Sequence, residues 1–198
     1  MVVQPDLAPW RSLLARALHR NRSQPQSRYF QLATVQADGK PANRTVVFRG
    51  FATASDRLKI ISDRRSQKIE QIQQQPWGEI CWYFSQSREQ FRFAGTLNLV
   101  TEGDRDSEFY AERRLTWQNL SDTARLQFAW PPPKEARSPN PGDFEPSPPS
   151  PATPLDNFCL LLLNPHSVDY LNLRGEPQNR HLYWQDNSQI WRSREVNP

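Results

Sequence analysis

The sequence predicts a mainly β fold with peripheral helices, an α+β chain organised as one closed or half-closed β-barrel. Three observations predict it. Segments with apolar and polar residues in alternation recur about eight times along the 198 residues. Helical periodicity is confined to a few short stretches. Strand-like segments also lie on both sides of a proline-rich interruption, so the two halves read as completing one domain over residues 1–198, a length that suits a single core.

Leu7, Trp10, Leu13, Leu14, Ala17 and Leu18 recur at helical spacing, which predicts an amphipathic helix over 7–22 with Asp6 able to cap its start and Arg11, Arg16 and His19 on the wet side. Alternation then begins. Arg28–Val35, a turn at Asp38-Gly39-Lys40-Pro41, and Asn43–Arg49 predict a hairpin. Leu58–Ser62 reads as a short strand and Ser66–Gln75 as a short helix stopped by Pro76. Gly78–Ser85 and Glu89–Val100 form a second hairpin, followed by helices over Asp104–Arg114 and Ser121–Phe128. Residues 131–154 hold ten of the eighteen prolines, too many for helix or interior strand, and read as a surface insertion. Strands resume at Leu155–Leu163, Ser167–Leu173, Arg180–Gln185 and Gln189–Arg194.

Composition narrows the function classes. Seven Trp, five Tyr and ten Phe offset a hydrophobic fraction of only 36% and argue against disorder. The longest apolar runs, Ile80–Phe84 and Phe158–Leu163, fall far short of the roughly 20 residues of a membrane-spanning helix. Cys81 and Cys159 lie inside apolar runs and read as buried hydrophobes in a reducing compartment. With no export signal at the N-terminus the expectation is a cytoplasmic protein, the basic 7–22 helix leaving an organellar transit reading as the alternative. A pI near 9.3 and strands that interleave Arg with aromatic residues admit a single-stranded nucleic-acid binder, but a net charge of +4 with acids interspersed is modest for one. Dinucleotide and phosphate-loop glycine motifs and a nucleophile elbow are missing, and His19, His166 and His181 are too scattered for zinc.

Three segments carry candidate chemistry. In Leu58–Ile69 a strand runs into a loop with Arg64 and Arg65 and then into a helix starting near Ser66, with Lys68 in its first turn. A helix N-terminus with cations beside it suits a phosphate; the alternative is a helix capped by Ser66 with solvated basic residues. In Arg44–Arg49 the two-residue period sets Arg44 and Arg49 on opposite faces of a flat strand, so one is structural or both serve a ligand between subunits. In Arg88–Gly95, Gln90, Arg92 and Ala94 share a face.

Together and in this order, these segments resemble the pyridoxamine 5′-phosphate oxidase-like family of FMN-binding split-barrel flavoproteins. Arg44-Thr45-Val46-Val47-Phe48-Arg49-Gly50-Phe51 is similar to the family's first FMN-contacting strand, Ser62 with Ser66-Gln67-Lys68 to its phosphate-contacting segment, and Arg88-Glu89-Gln90-Phe91-Arg92 to the strand whose Gln meets the flavin ring. The resemblance implies a split barrel, FMN as cofactor and a homodimer with FMN at the interface. It also implies Arg44 beside the flavin, backbone contacts from Thr45, Val46 and Val47, phosphate contacts from Ser62, Ser66 and Lys68, and Arg49, Gln90 and Arg180 near the cofactor. Gln67 stands where the oxidases usually carry Arg, a loss that Arg64 or Arg65 could offset, and Arg49 where they carry Lys. Glu176 and Gln178 replace an Arg and a His of the oxidases' substrate site, which counts against vitamin B6 phosphate as substrate. The expectation is an FMN-dependent oxidoreductase with an altered substrate site and an unknown small-molecule substrate. The alternative is an FMN-binding carrier, sensor or interaction module without turnover.

Overall fold

The computed structural model describes residues 7–198. Helix α1 (Arg11–Arg20) is followed by strands β1 (Tyr29–Val35), β2 (Pro41–Val47) and β3 (Leu58–Asp63), helix α2 (Gln67–Gln74), and strands β4 (Trp77–Phe84) and β5 (Glu89–Val100). Helices α3 (Tyr110–Gln118) and α4 (Asp122–Leu126) precede the proline-rich segment, after which come β6 (Phe158–Asn172), β7 (Asn179–Gln185) and β8 (Trp191–Val196). All eight strands join one antiparallel sheet in the order β2-β1-β4-β5-β6-β7-β8, with β3 on β6.

Alternation sorts the sheet's two faces. Phe30, Leu32, Ile80, Trp82, Phe91 and Phe93 point inward and are buried, while their chain neighbours Gln31, Tyr83, Gln90 and Arg92 face out. The sheet curls without closing. On leaving β2 the chain crosses the gap to β3: Arg49 N–H donates to the Lys59 carbonyl at 2.9 Å and Lys59 N–H to the Gly50 carbonyl at 2.8 Å. Gly50 makes the bend at φ +99°, a left-handed conformation other residues reach only with strain.

The predicted hairpins, strands and second helix are present, and several readings need correction. Asp6 lies outside the described residues, and α1 begins after Trp10 with no side-chain cap. Arg11 is not on the wet side: it lies 3.4 Å from the centroid of the Phe51 ring and donates to Asp56 at 3.1 Å. The helix expected over Asp104–Arg114 starts later, because the Asp104 carboxylate holds a turn by accepting from the Thr101 N–H and hydroxyl. The two strands expected at Leu155–Leu163 and Ser167–Leu173 are one. Pro165 falls opposite Gly95 where the register shifts, a place that needs no ladder donor. A Cβ on Gly95 would lie 1.9 Å from the Asn164 carbonyl oxygen, so this bulge admits only glycine without backbone movement. Cys159 is buried as expected, and Cys81 is half-buried on the outer face.

Candidate functional site

A cavity of about 1000 Å³ opens where the end of β2, the end of β3, helix α2 and the proline-rich segment meet. Arg44, Thr45, Val46, Val47 and Arg49 line it from the β2 side, and Ser62 and Lys68 from the β3–α2 side. Arg44 and Arg49 share it despite their opposite strand parity, because the chain leaves β2 at Val47 and turns toward β3 between them. That turn, completed by the bend at Gly50, brings both to one cavity within a single chain, which a flat strand would not do.

At the α2 end, Lys68 Nζ donates to the Ser62 hydroxyl at 2.9 Å and the Ser66 hydroxyl at 3.0 Å, and the two hydroxyls are 3.3 Å apart. Ser66 makes no side-chain bond to the α2 backbone, so its hydroxyl serves the lysine and not the helix cap. Burial holds the Lys68 ammonium below its ordinary range, and the nearby Arg44 lowers it further. Arg44 donates to Thr34 Oγ1 at 2.6 Å, Gln71 Oε1 at 3.0 Å and the Leu32 carbonyl at 3.2 Å, all neutral acceptors, and burial lowers its guanidinium as well. Arg49 is lowered by burial and then by Arg28, and its buried Nε has no hydrogen-bond partner among the described residues. None of these three cations is in an ion pair with a described carboxylate.

The other predicted residues lie as follows. Gln67 is exposed and, like Ser66, does not line the cavity; its Oε1 accepts from the Nζ of Lys134, which does. Arg65 donates to Asp63 and to the carbonyls of Phe128 and Trp130, and Arg64 does not line the cavity. Gln90 and Arg180 do not line it either. Both stand on the outer face of the sheet, where Cys81 Sγ approaches Gln90 at 3.8 Å and Arg180 forms a two-pronged ion pair with Asp169 at 2.7 and 3.0 Å. Asp169 also lies 3.6 Å from Arg92, which pairs with Glu79.

The sequence reading missed Thr34 and Gln71, which aim Arg44, and Trp130, Lys134 and Arg137, which wall the cavity from the proline-rich segment. Gln71 was within reach of helical spacing, being three residues after Lys68 and so on the same face of α2. No sequence signal could have found the proline-rich contributors, since a segment without periodicity gives no clue to which way its side chains turn.

A half-buried lysine among hydroxyls, two desolvated guanidiniums and a cavity in the range of cofactor sites fit FMN; Lys68 with its hydroxyl partners would suit the phosphate, and the Thr45–Val47 strand end with Phe128 and Trp130 would line the rest.

Comparison with known proteins agrees. The family model for the pyridoxamine 5′-phosphate oxidase FMN-binding domain matches residues 7–101. A protein of Arabidopsis thaliana named pyridoxine/pyridoxamine 5′-phosphate oxidase 2 is 38% identical over 201 residues, covering 97% of this chain and 98% of its own. A crystal structure of a pyridoxamine 5′-phosphate oxidase-related, FMN-binding protein from Nostoc punctiforme superposes with a TM-score of 0.95 at 58% identity, covering 97% of this chain and 99% of that one. PhzG from Burkholderia lata, in complex with tetrahydrophenazine-1-carboxylic acid, shares the fold with a TM-score of 0.73 at 16% identity, covering 94% and 91%. With a relative 38% identical over nearly the whole of both chains and a shared split barrel, the chain belongs to the pyridoxamine 5′-phosphate oxidase-like family of FMN-binding proteins.

Proposed function

We propose that this chain is an FMN-dependent oxidoreductase that works as a homodimer on a small organic substrate other than pyridoxine or pyridoxamine phosphate. The observation that carries the reading is the convergence of Arg44, Arg49 and Lys68 on one cavity without a carboxylate partner among the described residues, each held below its ordinary range as though awaiting an anion. Bound FMN supplies a ring that accepts a hydride or electrons. The protein supplies position and charge. Lys68, Ser62 and Ser66 would hold the phosphate, and Arg44, aimed by Thr34 and Gln71, would bring positive charge that favours electrons added nearby. Phe128, Trp130 and the prolines after it keep water from that side.

The departure in substrate rests on the β6–β7 end. Glu176 puts an anion in that turn where the oxidases place a cation, and Asp169 occupies the Arg180 guanidinium on both prongs. The homodimer reading draws on the outer face, where Tyr29, Trp77 and Tyr83 are each about half exposed on one side of the sheet. Gln90 and Arg180 share that side, so a second copy laid on it would meet them. The same ion pair supports a second reading, FMN binding without turnover, since it leaves Arg180 without a free prong for a substrate.

The test is a visible spectrum of the purified protein, acid release of its chromophore, and anaerobic mixing with amine, alcohol and reduced-nicotinamide donors. FMN released at about one per chain, bleached by a donor class and restored by air, is the expected result. A colourless protein that takes up no FMN would overturn the reading. Bound FMN that no donor bleaches faster than free FMN would leave the carrier or sensor reading in its place.

A further inference from the structure

The proline-rich segment is built to hold a fixed shape beside the cavity. Trp117 Nε1 donates to the Ser150 carbonyl at 2.9 Å and Trp130 Nε1 to the Phe144 carbonyl at 3.0 Å, while Arg65 and Asn157 hold the carbonyls of Trp130 and Phe128. Within it, Asn140 Oδ1 accepts from the Gly142 N–H, and the Arg137 guanidinium lies 4.6 Å from the centroid of the Phe144 ring. Prolines stiffen what remains.

The segment presents Lys134 and Arg137 to the cavity, and neither is in an ion pair with a described carboxylate. Asp63 and Glu135 also line that side, but Asp63 is held by Arg65 and Asn157, and the Arg65 guanidinium is further favoured by the charge of Glu135. Arg65 is thus the ion-pair partner of Asp63, and Glu135 forms no ion pair with Lys134 or Arg137 among the described residues. Lys134 Nζ meanwhile donates to Gln67 Oε1, which places its ammonium over the first turn of α2, one residue from Lys68. That turn has only one cation of its own facing the cavity, because position 67 carries a neutral amide.

We propose that Lys134 is a ligand of the FMN phosphate, carried in by the proline-rich segment and steered by Gln67, so that the charge absent from position 67 is supplied from 67 residues further along the chain. The amide gives up a direct charged contact and gains the role of positioning one. The segment is accordingly part of the cofactor site, and FMN binding fastens it to α2. The inference rests on FMN binding and is independent of whether the bound cofactor turns over.

The experiment is fluorescence titration of the FMN-free, full-length protein with FMN and with riboflavin, which lacks the phosphate. Lys134 is exposed at the rim, so Lys134→Ala is expected to fold with an unchanged melting temperature. It should weaken FMN binding about tenfold, the worth of one charge-assisted contact at a wet rim, and leave riboflavin binding unchanged. Adding Gln67→Arg to Lys134→Ala should restore most of the FMN affinity. Unchanged FMN affinity in Lys134→Ala would overturn the proposal, and with a weakened response to an anionic electron donor it would reassign Lys134 to the substrate. Parallel loss of FMN and riboflavin would also overturn it, making the lysine a prop for the segment. A wild-type chain that binds neither flavin fails earlier and differently, by sinking the FMN reading itself.

Discussion

Lys68 is surrounded by hydroxyls and by another cation, and this fixes the sign of its pH dependence. Burial, then Arg44, lowers its ammonium below the usual 10.5. In the free protein the folded state therefore binds fewer protons there than the unfolded chain, and this residue's contribution to stability rises as pH climbs through the window below 10.5. A bound phosphate reverses the shift. FMN affinity is expected to fall across that same window, starting below 10.5, with proton uptake on binding that calorimetry in buffers of different ionisation enthalpy will detect. Lys68→Ala should cost roughly tenfold to a hundredfold in FMN affinity, the range for a hydrogen-bonded charge on phosphate. An affinity flat in pH and untouched by the substitution would remove Lys68 from the site. The cysteines differ from one another in the same terms. Burial pushes the Cys159 thiol up to about 12, whereas Cys81 is raised but half-buried. Alkylation of the native protein at neutral pH should label Cys81 slowly and spare Cys159, as mass spectrometry of the labelled chain will show.

Helix α3 illustrates how an element can be fixed by one buried residue. Arg113 is fully buried, donating to the Phe158 carbonyl at 2.9 and 3.1 Å, to the Leu155 carbonyl at 3.1 Å and to Glu102 at 2.7 Å. It thereby ties α3 to the start of β6 and to the exit of the proline-rich segment. Arg113→Leu strands those acceptors and is expected to cost about 3–5 kcal/mol in a urea titration, far more than a surface arginine. Its neighbour Glu112 faces the other way along β3. Burial alone would raise its carboxyl, but bonds from Lys59 and Thr53 outweigh that and hold it below its usual value. The contribution of this carboxylate is present above the unfolded value near 4.5 and is lost as pH falls through the lower folded one. The helix was legible in the sequence only approximately, because α3 has a weak apolar stripe and its packing is made by Arg113 and Trp117, residues that periodicity scores as polar or ambiguous. Strands were easier, since Phe, Trp and Ile at every second position leave little choice of face. The seam at Gly95 and Pro165 was hidden for the opposite reason: proline and turn-like neighbours looked like an end, and only the partner strand shows that the ladder continues.

At the scale of the whole molecule, the curled sheet and α1 enclose one aromatic core and leave the opposite face outward. Trp10 is fully buried, with ring centroids 5.2 Å from Phe93, 6.0 Å from Trp191 and 6.3 Å from Phe51. The outward face, with Tyr83 and Trp77 half exposed, is where a second copy is expected to sit. Sedimentation at micromolar concentration should give about twice 23.1 kDa, and Tyr83→Glu should shift the mass toward the monomer. A wild-type monomer at that concentration would remove the dimer. The part of the cavity lined by Arg44–Arg49, Ser62 and Lys68 was legible as a candidate in the sequence because its residues lie close together in the chain. The part lined by Lys134 and Arg137 was not, because it depends on how a segment with no repeat of its own folds back.

Strand β6 has β5 along one edge and, along the other, β3 over its first half and β7 over its second. Ser62, whose hydroxyl meets Lys68, pairs with Cys159, so the strand that carries Ser62 is fixed in the sheet only when segments nearly a hundred residues apart have met. Refolding is expected to wait on closing that long loop, on the milliseconds-to-seconds scale of non-local β topologies. If Ser62 and Lys68 hold FMN, its capture is expected to follow the docking of β6, and in a refolding experiment the quenching of its fluorescence should lag behind the first burial of the tryptophans.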